Sequence, residues 1–142
     1  HTRCADVTGV QTCALPICTA EELYWRPQSR IAARLLGEVN EIEGEVRGGA
    51  LQSEFGPIPA LGIVDGTRAT ALVRPAAISL GLEAMGPATI VASYFAGGQR
   101  RLVVECDGGA SASVCANCAD GPAVGTKVRL EFMPDRFTVI PG

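Results

Sequence analysis

Cys115-Ala-Asn-Cys118, with Cys106 just upstream, is the constellation whose residue types come closest to holding a metal or exchanging disulfides. A structural zinc needs four ligands, commonly two CxxC pairs or cysteines combined with histidines, and this stretch offers one pair and a single further thiol. A redox CxxC opens a helix after a strand, whereas this one lies in a Ser/Ala/Gly stretch between strand-like runs. Small residues around a hairpin, with no metal, are therefore expected. Glu41, Glu43 and Glu45 form a second candidate, because alternation puts all three carboxylates on one face of a strand. Followed by Arg47, such a row reads as a solvated face, not an acid/base pair. No Gly-x-x-x-x-Gly-Lys-Ser/Thr loop occurs, and the only lysine is Lys127, so no phosphate cradle of that kind is present.

Residues 7–17, Val-Thr-Gly-Val-Gln-Thr-Cys-Ala-Leu-Pro-Ile, read as an in-frame translation of a common sequencing adapter whose last base opens the codon of Cys18. Residues 1–18 are accordingly expected to be an adapter-derived artefact, disordered and outside the fold. They contain His1, the sole histidine, together with Cys4, Cys13 and Cys18. The remaining segment has no imidazole for His-dependent nucleophilic triads or His-containing zinc sites, and no catalytic residue is expected in it. Arg3 and Asp6 cancel, so the net charge stays at -3, and nothing gathers nucleic-acid phosphates. The aromatic residues Phe55, Tyr94, Phe95, Phe132 and Phe137 are expected in the core. No apolar run approaches the roughly 18 residues of a membrane-spanning helix.

The elements that would position any site begin with a helical tail. Thr19 is a cap, Glu21 and Glu22 suit the first turn, and Pro27 breaks the run. In a second short helix Ile31, Ala32, Leu35 and Leu36 form an apolar row expected to pack in the core, Arg30 and Arg34 form a polar row, and Gly37 terminates. From Val39 the period changes to two. Ile42, Gly44 and Val46 face inward on a strand that turns at Gly48-Gly49 into a second, over 51–55, and residues 56–62 form a loop or edge rich in proline. Strands follow over 69–73, 88–95, 99–106, 110–114, 127–132 and 137–140. Residues 76–80 form a helical turn or short strand, and 81–87 a linker. The strands 88–95 and 99–106 form a hairpin across Gly97-Gly98, and the last two pair around Met133-Pro134-Asp135. About eight strands at this spacing predict a mainly β fold, a small antiparallel OB-like barrel or sandwich preceded by a short helical segment. A free-standing barrel binding a small ligand or nucleic acid is the alternative from composition alone.

Thr19-Ala-Glu-Glu-Leu-Tyr-Trp-Arg-Pro27, Ile31-Ala-Ala-Arg-Leu-Leu-Gly-Glu-Val-Asn40 and Ile42-Glu-Gly-Glu-Val46 together resemble the C-terminal part of an ABC-transporter ATP-binding subunit. The resemblance is to the importer branch for iron(III), polyamines, sugars and molybdate. There G-T-x-x-E-L-Y-x-x-P ends the ATPase domain, F-V-A-x-F-L-G follows, and N-x-L-x-G-x-V enters a transport-associated OB (TOBE) domain. Glu22, Leu23, Tyr24 and Pro27 match the first element, Ala33, Leu36 and Gly37 the second, and Asn40, Ile42, Gly44 and Val46 the third. Asp65-Gly-Thr67, Arg74 and Pro75 in Ala71-Leu-Val-Arg-Pro75, and Gly125-Thr-Lys-Val-Arg-Leu130 continue it. Ala76 departs where the family commonly has glutamate, and Ala32 where valine is usual.

The resemblance implies that 19–37 ends an ATPase domain and 38–142 is a TOBE/OB-like regulatory domain. ATP and magnesium would belong to a missing upstream domain, leaving this fragment without a cofactor and without ATPase activity. It further implies a second copy of the subunit as partner in a homodimer, transporter membrane subunits reached through the missing domain, a small-molecule or protein regulator, and no nucleic acid. The location implied is cytoplasmic, peripheral on the inner face of the plasma membrane.

Overall fold

The structure, a computed structural model, describes residues 19–96, 98–116 and 122–142, so the expectations for 1–18 and for Cys118 lie outside it. Thr19 and Glu22 close a reciprocal capping box on the first helix, α1 (Ala20–Trp25). Ser29 caps the second, α2 (Arg30–Leu35), and Gly37, at φ 143°, ends the tail in backbone space that side chains disfavour. No helix among the described residues is long and apolar enough to cross a membrane.

The rest is antiparallel sheet. β1 (Asn40–Arg47) and β2 (Ala50–Ser53) form a hairpin at Gly48 and Gly49, both at positive φ, as a tight turn of this hand requires. β3 (Gly56–Pro59) is an edge strand, the place where its prolines cost no ladder bonds. β4 (Arg68–Val73) pairs with β1, and a 3-10 turn over Pro75–Ala77 leads to β5 (Ile78–Leu82), so both readings of 76–80 are realised in succession. β6 (Ala88–Ala96) and β7 (Gln99–Cys106) form the expected hairpin, followed by β8 (Ser111–Ala116), β9 (Lys127–Phe132) and β10 (Phe137–Pro141).

These strands form two five-stranded sheets, ordered β10-β4-β1-β2-β3 and β5-β9-β6-β7-β8. A register shift between Ile90 and Ala92 bends β6, so that its start pairs with both β9 and β7 while the rest follows β7 alone, and the sheet curls. The fold is thus mainly β, OB-like, with a short helical segment ahead of it. One apolar cluster runs through both sheets, from Ile42, Val46 and Leu51 to Leu102, Val114 and Val128.

Three expectations are corrected. β9 and β10 do not pair with each other: β9 joins β5 and β6, and β10 joins β4 in the other sheet. The Met133–Arg136 turn, with Asp135 at φ 63°, carries the chain across instead of folding it back. The apolar row of α2 is not core: Ile31 is 71% and Leu35 80% exposed, Leu36 also faces solvent, and of the helix only Ala33 is buried. Ala33 and the half-buried Arg30, which reaches Glu41 and Thr70, take the inward side, while exposed Arg34 grips Glu41 from the rim. Among the aromatics, Phe55 is buried and Phe132 and Phe137 pack against the core, but Tyr94 and Phe95 stand exposed near the end of the β6–β7 hairpin.

Candidate functional site

The chain crosses between the sheets at two neighbouring places, the Arg74–Ala77 turn and the Met133–Arg136 turn, joined by a bond from Met133 N–H to the Ala77 carbonyl at 2.9 Å. Pro75, buried, fixes the first residue of the 3-10 turn. Arg74 just before it is completely buried, which is rare for a charged side chain without a carboxylate partner. Its Nε donates to the Tyr24 carbonyl at 2.8 Å, and its Nη1 to the carbonyls of Gly37 at 3.1 Å and Glu38 at 2.9 Å. The guanidinium also lies 4.3 Å from the centre of the Tyr24 ring. Nη2 is buried without a partner among the described residues. Burial pushes the guanidinium below its ordinary pKa, against the opposing pull of Tyr24. Arginine nonetheless stays protonated, so the charge is held by carbonyl dipoles and a ring face.

The same seam carries further guanidinium contacts. Arg136, in the second crossover, lies 4.3 Å from the centre of the Trp25 ring, and Arg101 of β7 pairs with Glu38 at 3.1 Å. From the tail itself, Arg34 grips Glu41 through two bonds, at 2.7 and 2.9 Å, while Arg30 reaches Glu41 at 3.5 Å and the Thr70 hydroxyl at 2.5 Å. The hydrogen bond from Arg34 holds the Glu41 carboxyl below the usual glutamate value, burial opposes it, and the charges of Arg34 and Arg30 add to the lowering. Glu41 is therefore a tether and not part of a purely solvated row, a correction to the alternation reading; Glu43 remains exposed.

Asn40 joins the two sheets. Its Nδ2 donates to the Ser113 carbonyl and its Oδ1 accepts from the Ser113 N–H, both at 2.8 Å. Ser113 lies on β8, an edge strand, and its pairing with β7 leaves those two groups pointing outward, so one amide stands in for a neighbouring strand. Gly44, further along β1, has no room for a side chain, because a Cβ there would run into the Gln52 carbonyl of β2.

Of the residues singled out by resemblance, Tyr24, Gly37, Arg74 and Pro75 come together at the crossover, with Glu22 capping the helix that leads there and Pro27 buried in the tail. Asn40 and Gly44 serve the sheets. Leu23 and Leu36 are exposed and join no cluster. Cys106 and Cys115, the two cysteines among the described residues, are not brought together. Cys106 is buried and bonds through its thiol to the Glu54 carbonyl at 3.4 Å, and Cys115 donates to Gln99 Oε1 at 2.8 Å. Cys115 sits opposite Arg101, five residues along β7 from Cys106, a separation of about 17 Å at the usual strand rise. Burial first, then the acids Glu54 and Asp107, push the Cys106 thiol above its ordinary value, which makes it less reactive. Sequence reasoning missed Ser113, Thr70, Arg101 and Arg136 as partners, since each contact joins residues far apart in the sequence and leaves no local pattern.

The geometry is that of two antiparallel sheets with a helical tail fastened over the place where the chain passes between them. Residues 71–140 match the family model described as the TOBE domain, a stretch running from within β4 to β10, so in these residues the chain is similar to TOBE domains. No curated protein matches the chain.

Proposed function

We propose that the chain is part of an ABC-transporter ATP-binding subunit of the iron(III), polyamine and sugar importer branch, carrying its accessory regulatory domain. The observation that carries this reading is the joining of two things by Arg74. The residues matching the TOBE model include Arg74, and the tail residues that resemble the end of the ATPase domain supply the carbonyls and the ring it holds. In this reading the segment neither binds nor hydrolyses ATP by itself, since nucleotide and magnesium belong to a domain ahead of Thr19. Its partners are a second copy of the subunit, the transporter membrane subunits through that domain, and a small-molecule or protein regulator, at the cytoplasmic face of the membrane. A stable β surface suits such contacts and needs no reactive group.

A free-standing nucleic-acid-binding barrel is favoured by one observation, the exposure of Tyr94 and Phe95 beside Arg101 and Arg100. Being adjacent on a strand, however, the two rings face opposite sides and form no common stacking platform. The test is the genomic reading frame upstream of the Thr19 codon. A Walker-type ATPase continuing in frame into Thr19 is expected; a start codon directly before it, or an unrelated domain, would overturn the proposal.

A further inference from the structure

We infer that residues 19–38 form a strap that lifts off the two sheets as one unit while both sheets stay folded, with Arg74 as its latch. The inference rests on how the seam is made and not on the proposed transporter role. Within the strap only Pro27 and Ala33 are buried and Trp25 packs half-buried against the core, whereas Ile31, Leu35 and Leu36 face solvent, so far less apolar surface is at stake when it moves than within the sheets. The sheets, by contrast, share one continuous apolar cluster and are cross-linked by Asn40 and Ser113. Apart from the packing of Trp25, what seats the strap is a set of guanidinium contacts: Arg74 on three carbonyls and the Tyr24 ring, Arg136 on Trp25, Arg101 on Glu38, and Arg30 and Arg34 on Glu41. Every one of these groups regains water when released. Nη2 of Arg74, buried and unpartnered among the described residues, gains a hydrogen bond only on release.

The seam is also open. A cleft of about 390 Å³ lies between α1 and the second crossover, lined by Trp25, Arg26, Asp135 and Arg136, and others follow Arg26 along β10. Two helices of six residues each are too short to persist alone. Release therefore unwinds both, and the amides of Leu23, Arg26, Ala33 and Leu36, which close their turns, report the seated state. Regions with few buried apolar contacts are those that open below the global unfolding free energy.

Hydrogen exchange read by NMR on the full chain at neutral pH tests this. Those four amides are expected to exchange at least about 100-fold faster than those of Leu102 and Val104 in β7, and still slower than free peptide. Arg74→Lys keeps the charge but loses the fork; it is expected to speed the four by at least about tenfold and leave β7 unchanged. If that variant does not fold, Arg34→Ala, a surface change that spares the sheets, is expected to shift the same four amides in the same direction. Equal protection of strap and β7, rates that rise together in either variant, or strap amides unprotected in the unaltered chain would each overturn the strap.

Discussion

Removing the Asn40 side chain tests the cross-link between the sheets with a calculable outcome. The side chain makes two hydrogen bonds of 2.8 Å to the backbone of Ser113 and is itself buried. Asn40→Ala deletes both and leaves one N–H and one carbonyl of an edge strand without their partner. Each net bond contributes about 1 kcal/mol, and an unsatisfied buried group costs about 1–3 kcal/mol, so the ceiling is high. Ser113 is only half-buried, so water can reach the two groups left behind, which puts the expected loss at about 2–3 kcal/mol. For a domain of this size that is a fall in Tm of roughly 10 °C. Asn40→Asp sharpens the test. An ionised carboxylate still accepts from the Ser113 N–H but confronts its carbonyl, whereas the protonated acid restores both bonds. The folded pKa of the new group is therefore raised above its unfolded value of about 3.9. Its destabilisation is full at pH 7 and fades as the pH falls through the raised folded value, and urea melts at pH 7 and pH 4.5 measure the difference. A loss below about 0.5 kcal/mol in the alanine variant, or an aspartate variant with the same deficit at both pH values, would refute the reasoning.

Gly44→Ala is expected to cost more than about 3 kcal/mol or to shift β2, because the added methyl meets backbone and not a movable side chain; equilibrium denaturation measures it. Glu41 has a lowered folded pKa, so its contribution is fully present above the unfolded value of about 4.3 and is lost as the pH falls through the folded one. Stability of the unaltered chain should drop over that acid window, with Glu41→Gln showing a flatter profile over the same range. Cys106→Ser, Cys115→Ser and Cys118→Ser combined should keep the β-rich circular dichroism, with a loss of about 1–2 kcal/mol centred on buried Cys106. Stoichiometric zinc in the purified chain, with unfolding by a chelator, would instead make the cysteines a metal site.

The features legible in the sequence are those decided locally. Thr19 and Glu22 cap one helix, Gly37 ends the other, and Gly48-Gly49 turns a hairpin, because each depends on backbone geometry a few residues long. The alternation of Ile42, Gly44 and Val46 places the inner face of β1 for the same reason. Choices between distant partners are not written this way. The two rows of α2 are both plausible inner faces until Glu41 and Thr70 are known to lie beneath Arg30 and Arg34. Phe132 and Phe137 flank a short connection that looks like a hairpin, and only the pairing of β10 with β4 shows that it is a crossover. Arg74 was legible as a position through resemblance, yet its role was not. A guanidinium held by carbonyls of Tyr24, Gly37 and Glu38 requires three backbone groups that no side-chain pattern encodes.

The claim that the motif residues fasten the tail to the β-domain is tested most directly by the side-chain signals of Arg74 in a proton–nitrogen NMR spectrum of the full chain. The account predicts an Nε–H resonance protected from solvent exchange, shifted by the face of Tyr24, with a cross-peak to the tail backbone, and a ring-induced shift that disappears in Tyr24→Leu. An Arg74 signal that exchanges freely and ignores the loss of the Tyr24 ring would contradict it.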